Sequence, residues 1–223
     1  MKVQPVITGD RSHTLFVPRL KEHYHSVFGA IRESRHVFIG AGFNCLAGKK
    51  TPVRLLEIGF GTGLNALLTY FEALKNNRAV QYTALEAFPL EPGIVQRLNY
   101  PELLDEPDAA RIFLELHERP WNRAVRLSGS FTLEKRWEKL EISVLPKGSF
   151  DLVYFDAFGP VVQPELWTPE IFEKLYRALD GGSILVTYSS KGEVRRAMKE
   201  AGFSVKKLPG PAGKREMTRA LKP

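Results

Sequence analysis

A glycine-rich turn, Gly59-Phe60-Gly61-Thr62-Gly63, constrains the fold of this chain more than any other feature. The apolar run Val53–Ile58 precedes the turn and predicts a buried strand, and the helix-forming run Leu64–Leu74 follows it. Glycines at alternate positions let the backbone bend sharply and approach a ligand, because no Cβ stands in the way. A strand, a glycine turn and a helix in this order form the nucleotide-binding corner of a doubly wound α/β fold.

The spacing of the glycines narrows the class of ligand. The dinucleotide fingerprint G-x-G-x-x-G needs glycine where this chain has Leu64, and the Gly-Lys-Ser/Thr ending of a phosphate-binding P-loop is also absent. Glu57 ends the strand, so an acid faces the ligand beside the glycines. The turn resembles motif I of the S-adenosylmethionine-dependent methyltransferases. This resemblance implies that Glu57 meets the methionine end of the cofactor and that Gly59, Phe60, Gly61, Thr62 and Gly63 pass under it.

Predicted strands and helices alternate along the rest of the chain, which predicts a mainly parallel sheet with helices on both faces. We expect a small hairpin over 3–17 and a helix over 28–41 before this core. The core strands are expected at 53–58, 80–86, 131–137, 150–156 and 184–188, and its main helices at 64–76, 169–179 and 193–201. The pair Gly181-Gly182 is expected to end the helix before it, and 203–207 with 216–221 to form a final antiparallel pair.

Composition excludes several classes of protein. The only cysteine in 223 residues is Cys45, so an intrachain disulfide and a cysteine metal cluster are impossible, and the five histidines show no His-Glu-x-x-His pattern. No metal site is therefore predicted. The chain begins without an apolar signal region and contains no apolar run of membrane-spanning length, so we expect a cytoplasmic protein that does not enter the membrane.

Positive charge is concentrated at the end of the chain. Residues 191–223 contain ten basic and three acidic residues, which equals the whole net charge of +7. Such a basic segment on a neutral body is an electrostatic footprint for a polyanion, and nucleic acid is the leading candidate. The alternative is a solvated helix face that improves solubility.

Two further acids end predicted strands on the side where ligands bind in such folds. Glu86 lies 23 residues after Gly63, where an acid commonly accepts hydrogen bonds from ribose hydroxyls. Asp156 ends the run FDLVYFD and is expected close to both the cofactor and the incoming substrate. After it, Phe158 and Pro160 are expected to form a wall of the pocket and Trp167 to close it.

Several motifs in a fixed order resemble the methyltransferase domain of the MnmC family. They are Tyr24-His25-Ser26, the segment 33–38, GFGTGLN (59–65), Glu86-Ala87-Phe88-Pro89-Leu90, DAFGPVVQPELWTPEIF (156–172) and Gly213-Lys214-Arg215-Glu216-Met217. The resemblance implies a class I Rossmann-like methyltransferase that binds S-adenosylmethionine, with Ala87 and Phe88 beside Glu86 at the cofactor. It also implies that residues 1–50 form a hairpin and helical cover over the cofactor site, and that 51–223 form the core with its basic end.

The implied reaction is N-methylation of the aminomethyl group of 5-aminomethyl-2-thiouridine at the wobble position of tRNA. Double-length members of the family also carry an oxidase domain that produces this amine. The present chain is expected to be a stand-alone methyltransferase, so another enzyme would supply the aminomethyl group. The amine must lose a proton before it can attack a methyl group, and Asp156 is the candidate that holds and orients it. Tyr188 and Asn44 are secondary candidates for pocket contacts, Asn44 on the cofactor side.

One motif departs from the family pattern. Where an acid after the third strand usually receives the adenine amino group, this chain has Trp137-Glu138-Lys139-Leu140. Glu138 with a shifted register or a backbone carbonyl would have to make this contact.

If the substrate is RNA, the basic C-terminal segment can bind its phosphates. Contacts to phosphates of the anticodon stem-loop are predicted for a set of five cations: Lys191, Arg195, Arg196, Lys214 and Arg215. Two alternatives remain open, namely a methyltransferase for another amine and a tRNA-binding or cofactor-binding protein without catalysis. A nicotinamide oxidoreductase is disfavoured because Leu64 breaks its fingerprint.

Overall fold

The N-terminal part of the chain forms a small antiparallel sheet followed by short helical turns. The computed structural model describes residues 2–46, 48 and 52–223. Strands β1 (Gln4–Ile7), β2 (His13–Val17) and β3 (Glu22–His23) pair in the order β1-β2-β3, which confirms the predicted hairpin. Helix α1 (Ala30–Ser34) then widens into a π-helical turn, Arg35–Gly40, and a 3-10 turn follows at Phe43–Leu46. The predicted boundary between residues 50 and 51 lies outside the described residues.

An eight-stranded sheet forms the core of the molecule. Its strands are β4 (Val53–Ile58), β5 (Val80–Leu85), β6 (Arg123–Arg126), β7 (Phe131–Arg136), β8 (Phe150–Phe155), β9 (Leu179–Thr187), β10 (Ser204–Pro209) and β11 (Glu216–Leu221). They lie in the order β10-β11-β9-β8-β4-β5-β7-β6. The five central strands are parallel, and β6, β10 and β11 add antiparallel edges.

Helices cover both faces of this sheet. They are α2 (Leu64–Lys75), α3 (Pro92–Val95), α4 (Tyr100–Leu103), α5 (Ala109–Glu118), α6 (Pro169–Ala178) and α7 (Gly192–Glu200). Apolar side chains of α2, α5 and the N-terminal helical turns form one core, and those of α6 and α7 form a second core against the opposite face. The predicted α/β doubly wound class is confirmed. No helix in the described part of the chain combines the length and hydropathy that a membrane crossing requires.

Two details differ from the sequence prediction. Helix α6 begins as expected, with the Thr168 hydroxyl accepting from the backbone N–H of Ile171, but β9 starts directly after Ala178 and runs through Gly181 and Gly182. The pairing of β8 with β9 shifts register at this point, and the glycines belong to an irregular strand and not to a helix end. Strand β6, which pairs with β7 at the edge, has no counterpart among the predicted strands.

The order of the strands creates the place where a ligand can bind. Strand β4 pairs with β5 on one side and with β8 on the other, so the chain changes direction across the sheet next to β4. Loops after these strands diverge at a switch point of this kind and leave a crevice at the carboxyl ends of the strands.

Candidate active site

A cavity of about 380 Å³ opens at the carboxyl ends of the central strands. Its walls come from the loops after β4, β5, β7, β8 and β9, from residues 22–28 with Glu33, and from the β10–β11 hairpin at Gly213 and Lys214. Of the residues predicted for the site, twelve line this cavity: Gly59, Phe60, Gly61, Thr62, Glu86, Ala87, Phe88, Glu138, Asp156, Phe158, Tyr188 and Lys214. Cavities of this size commonly hold small-molecule ligands.

The glycine turn after β4 forms the floor of the cavity. Gly59 and Gly61 have φ angles of 87° and 51°, a left-handed conformation that side-chain-bearing residues rarely adopt. A Cβ at Gly59 would lie 2.8 Å from the carbonyl oxygen of Asp156, and one at Gly61 would lie 3.2 Å from the ring of Tyr24. Gly63 does not line the cavity, and a Cβ there would lie 2.7 Å from Nε2 of His117. The turn therefore needs glycine both for its backbone angles and for the close approach of its neighbours.

Glu57 lies one layer beneath the cavity floor and is fully buried. Its Oε1 accepts a hydrogen bond from Asn65 Nδ2 at 3.0 Å. The same Asn65 nitrogen donates to Asp156 Oδ2 at 2.8 Å, so one amide group joins the two carboxyls. Burial raises the pKa of Glu57 well above its ordinary value, because a carboxylate loses hydration inside the protein. Glu57 thus stands behind the ligand surface, and Asn65 is the residue that connects it to the cavity.

Glu86 holds the loops at the other end of the glycine turn. Its two carboxylate oxygens accept from the backbone N–H groups of Gly61 and Phe88, each at 2.8 Å. Burial raises the pKa of Glu86, and these hydrogen bonds oppose the rise. Each carboxylate oxygen has two lone pairs, so both remain able to accept from the hydroxyls of a ribose.

Asp156 directly follows β8 and faces the cavity. Burial raises its pKa to about 7, and the negative charge of Glu33 adds to the rise, while the Asn65 hydrogen bond and the charge of Lys214 oppose it. A carboxyl group with this pKa exchanges a proton near neutral pH, which is the property of a general base or acid. Tyr188 stands beside it and donates its hydroxyl hydrogen to the Ala157 carbonyl oxygen at 2.8 Å.

Aromatic rings form the wall near Asp156. Phe158 packs edge-on against Tyr24 with 5.1 Å between ring centroids, and its backbone N–H donates to Gln163 Oε1 at 2.9 Å. Trp167 is buried behind this wall, where its indole N–H donates to the Phe158 carbonyl oxygen at 2.9 Å. The predicted position of Trp167 as a closing residue is corrected, because its ring packs on Phe155 and supports the wall from inside. Pro160 is not part of the cavity lining either.

The end of the cavity opposite Asp156 carries the Glu138 region. Glu138 lines the cavity and pairs with Arg136 at 2.5 Å. Lys139 lines it too. Phe88 is 59% exposed although it lines the cavity, and a free aromatic face of this kind suits a flat heterocycle. The neighbouring Trp137 donates from its indole nitrogen to the Ala87 carbonyl oxygen at 3.2 Å.

Asn44 lies away from the cavity. It is exposed, and its Nδ2 donates to Glu72 Oε1 on α2 at 2.9 Å. The 3-10 turn around it buries Phe43 and Leu46, so the intervening polar side chain turns outward. The predicted contact of Asn44 with the cofactor is therefore corrected.

The five predicted RNA-contacting cations divide into two groups. Lys191, Arg196 and Arg215 are exposed, while Arg195 donates to the Ser190 carbonyl oxygen, and none of these four lines the cavity. Lys214 does line it, with its Nζ 2.7 Å from Glu33 Oε1 and 3.9 Å from the Tyr188 ring centroid. Lys214 therefore belongs to the cavity wall and not to the outer basic surface.

Comparison with known proteins agrees with this geometry. Residues 135–223 match a family described as S-adenosyl-L-methionine-dependent methyltransferase. The chain is 33% identical, over 94% of its length, to the tRNA 5-methylaminomethyl-2-thiouridine biosynthesis bifunctional protein MnmC of Ralstonia nicotianae, and covers 33% of that relative. It is 34% identical over 88% of its length to the protein of the same name in Pseudomonas syringae, and covers 31% of it.

A solved structure is similar over almost the whole chain. The crystal structure of MNMC2 from Aquifex aeolicus superposes with a TM-score of 0.79 and 27% identity, covering 98% of this chain and 70% of that one. The chain is similar to MnmC proteins over most of its length, and its residues 135–223 match the S-adenosyl-L-methionine-dependent methyltransferase family. It spans about a third of the length of the curated relatives it matches.

The family that residues 135–223 match depends on S-adenosyl-L-methionine, and the cavity residues fit this cofactor. The glycine floor leaves room for close approach, and Glu86 and Asp156 line the cavity as acids that suit a positively charged ligand. Asn65 Oδ1 is buried and has no hydrogen-bond partner among the described residues, so it is free to accept from an amino group such as that of the methionine end. The described residues contain no group of three or more metal-ligating side chains that could hold a metal ion.

Four residues of the site have no role assigned from the sequence alone: Asn65, Glu33, Gln163 and His25. Asn65 directly follows Leu64 at the start of α2, and a polar residue at the first buried turn of an apolar helix is a usable signal. Glu33 and His25 come from the N-terminal segment, where no periodicity indicates which side chains face the cavity. His25 is buried, and burial lowers its pKa to about 4, so it is neutral at physiological pH.

Proposed function

We propose that this chain transfers the methyl group of S-adenosyl-L-methionine to the aminomethyl group of 5-aminomethyl-(2-thio)uridine at the wobble position of tRNA. The observation that carries the proposal is Asp156, a buried carboxyl with a pKa of about 7 at the aromatic end of the cofactor cavity. The names of the relatives support the substrate, since a 5-methylaminomethyl group is the N-methylated form of a 5-aminomethyl group.

The proposed reaction places one demand on the protein. The cofactor, when bound, supplies an electrophilic methyl group on a sulfonium. The acceptor nitrogen forms a bond to this methyl carbon while the carbon–sulfur bond breaks, and the nitrogen gives up a proton. Asp156 in its ionised form accepts this proton through a hydrogen bond that also aims the lone pair. A pKa of about 7 makes the ionised form abundant at neutral pH while keeping its basicity above that of an ordinary aspartate.

The walls of the cavity suit a nucleobase that is turned out of its stack. Tyr24, Phe158 and Tyr188 offer aromatic faces and edges beside Asp156. Sequence-specific RNA recognition commonly uses such rings to stack on unpaired bases of loops. The exposed Lys191, Arg196 and Arg215 lie on the C-terminal segment and would contact phosphates of the anticodon stem-loop.

Three further parts of the proposal concern the cover over the site, the source of the amine substrate and the place where the protein works. Residues 1–50 act as a cover over the cofactor site, since residues 22–28 and Glu33 line the cavity. A separate enzymatic activity supplies the aminomethyl group, because methyl transfer does not create a primary amine. The protein works in the cytoplasm on tRNA.

Methyl transfer can be measured directly. The protein is incubated with methyl-labelled cofactor and with tRNA that carries either 5-aminomethyl-2-thiouridine or unmodified uridine at the wobble position. We expect label on the wobble nucleoside of the first tRNA only, identified as the 5-methylaminomethyl form after digestion. If folded, cofactor-binding protein labels small amines from a cell extract but no tRNA, the substrate assignment is wrong. If it binds tRNA and transfers no label, the protein is not a methyltransferase for RNA.

A further inference from the structure

The side chains of Glu33 and Lys214 meet across the mouth of the cavity although they are 181 positions apart in the sequence. Lys214 Nζ lies 2.7 Å from Glu33 Oε1, and the second oxygen of Glu33 accepts from the Ser26 backbone N–H at 2.7 Å. The Glu33 side chain is 6% exposed and that of Lys214 is 32% exposed. An ion pair this enclosed is held in one geometry, unlike the loose pairs of a protein surface.

The same pair is fixed to the loops that carry Asp156. The Lys214 ammonium lies 3.9 Å from the Tyr188 ring centroid, and the Tyr188 hydroxyl donates to the carbonyl oxygen of Ala157, the residue after Asp156. Next to Lys214, Gly213 is pressed against Phe28, since a Cβ at Gly213 would lie 2.1 Å from the Phe28 ring. Glu33, Lys214 and Asp156 all line one cavity, so the charges of the pair act on Asp156 at close quarters, with less screening than on an open surface.

We propose that the Glu33–Lys214 ion pair is a positioning device that sets how strongly Asp156 holds the proton taken from the acceptor amine. The two charges act in opposite directions. The carboxylate of Glu33 disfavours a second negative charge on Asp156 and makes it a stronger base, whereas the ammonium of Lys214 favours that charge. Glu33 and Lys214 touch neither the reacting nitrogen nor the methyl group in this role. The inference rests on the proposed transfer to an amine.

Two titratable side chains near the pair, His25 and Tyr188, do not change charge in the useful range. The N-terminal segment contributes Glu22 and His25, with Asp10 behind them, and the loop after β9 contributes Tyr188. Burial lowers the pKa of His25 to about 4 and raises that of Tyr188 well above its ordinary value, so both are neutral between pH 5 and pH 9. Glu57, which Asn65 joins to Asp156, also has a raised pKa, so an effect of the pair on Asp156 is read from variants that leave Glu57 in place.

The test reads the Asp156 carboxyl itself, in the full chain, by carbon-detected NMR with labelled aspartate, using Asp156→Asn to assign its signal. We expect the titration midpoint of Asp156 to move down by about half a pH unit or more in Glu33→Gln and up by a similar amount in Lys214→Met. In the second variant the negative charge of Glu33 acts on Asp156 without the opposing charge of Lys214. Lys207→Met is the matched control, because Lys207 forms an exposed pair with Glu216 in the same hairpin and its loss should leave the midpoint unchanged.

Shifts of Asp156 in the same direction in both variants, or no shift in folded protein, would overturn the inference. If Lys214→Met does not fold, Lys214→Arg replaces it, and retention of the wild-type midpoint supports the role of the charge while a shift as large as that of Glu33→Gln contradicts it. The pH dependence of methyl transfer should follow the same order as the NMR midpoints. Because the NMR titration needs no substrate, it separates failure of this inference from failure of the proposed function.

Discussion

At the scale of single residues, the site depends on carboxyl groups that are buried at an energetic cost. Burial raises the pKa of Glu57, Glu86 and Asp156, so the ionised forms of all three are less stable than they would be in water. A positive ligand offsets this cost, since a sulfonium or an ammonium beside a carboxylate restores the stability of its charge. Part of the favourable free energy of binding a cationic cofactor therefore comes from relieving the destabilisation of these carboxylates in the ligand-free protein.

Replacement of Asp156 by asparagine should separate binding from catalysis. The Asn65 amide can still donate to the new side-chain oxygen, so the loop keeps its geometry, but no group accepts the amine proton. We expect kcat to fall about 10²- to 10⁴-fold while the Kd for the cofactor changes by less than about fivefold. Single-turnover kinetics and calorimetry measure the two quantities. An equal loss in both would show that Asp156 acts mainly in binding the cofactor.

The same substitution should stabilise the ligand-free protein in a pH-dependent way. The pKa of Asp156 is higher in the folded state, about 7, than the 3.8 of an exposed aspartate, so the folded state binds more protons between these values. The favourable contribution of this group is therefore complete below pH 4 and is lost as the pH rises through 7. Asp156→Asn should raise the free energy of unfolding by about 1–3 kcal/mol at pH 8 and by almost nothing at pH 4. Denaturant titrations at the two pH values, compared with wild type, provide the measurement, and a uniform effect would contradict this account.

At the scale of structural elements, the strand–turn–helix unit of β4 and α2 positions the site. The turn between them brings the backbone of Gly59 against the carbonyl oxygen of Asp156, so the ends of β4 and β8 are packed together without an intervening side chain. Asn65 on α2 then reaches both Glu57 below and Asp156 above. A change in this turn should consequently alter both cofactor binding and the position of the base.

Gly59→Ala tests this coupling. The new methyl group would lie 2.8 Å from the Asp156 carbonyl oxygen, and the residue would have to keep a φ of 87°. We expect the cofactor Kd to rise at least tenfold and the midpoint of thermal unfolding to fall, with about 1–2 kcal/mol lost to backbone strain alone. Gly93→Ala is the matched control, since the space around Gly93 is open and it lies in α3, and it should leave both values near wild type. Equal behaviour of the two variants would exclude the steric explanation.

The elements that can be predicted from the sequence are those whose signals lie within a few neighbouring residues. The buried apolar runs and the capped helix after Thr168 are confirmed, because a continuous apolar strand and an N-cap are local signals. The contact of Glu33 with Lys214 and the outward position of Asn44 depend on how distant segments pack, which no local pattern encodes. Lys135 shows the same limit within a strand. It is 1% exposed, and its Nζ donates to the His117 carbonyl oxygen at 2.6 Å, although charged residues in an alternating strand usually face water.

At the scale of the whole molecule, the charge is as important as the cavity. The net charge of +7 resides in residues 191–223, and α7 and the hairpin between β10 and β11 place that segment beside the cavity mouth through Lys214. A small active site at the end of a basic surface can recruit a large polyanion without contacting its bases.

Removal of exposed positive charges from this surface should reduce the salt dependence of RNA binding. For the triple variant Lys191→Ala, Arg196→Ala, Arg215→Ala we expect the slope of log K against log salt to flatten by about 2–3 units, at about 0.7–0.9 for each phosphate that the protein no longer neutralises. The control is Lys75→Ala, Lys147→Ala, Arg177→Ala, which removes three exposed cations elsewhere. Filter binding of tRNA at several salt concentrations measures the slopes, and an unchanged slope in the first variant would exclude these residues from the interface.

The placement of β11 has a consequence for how the protein folds. This strand follows β10 in sequence, yet it lies between β10 and β9, and the turn that joins the two strands carries Lys214 into the cavity. Until β11 pairs with β9, therefore, β9 has an unpaired edge and the cavity lacks a wall. The completed ligand cavity and the protection of that edge therefore depend on one event, the docking of the β10–β11 hairpin on β9.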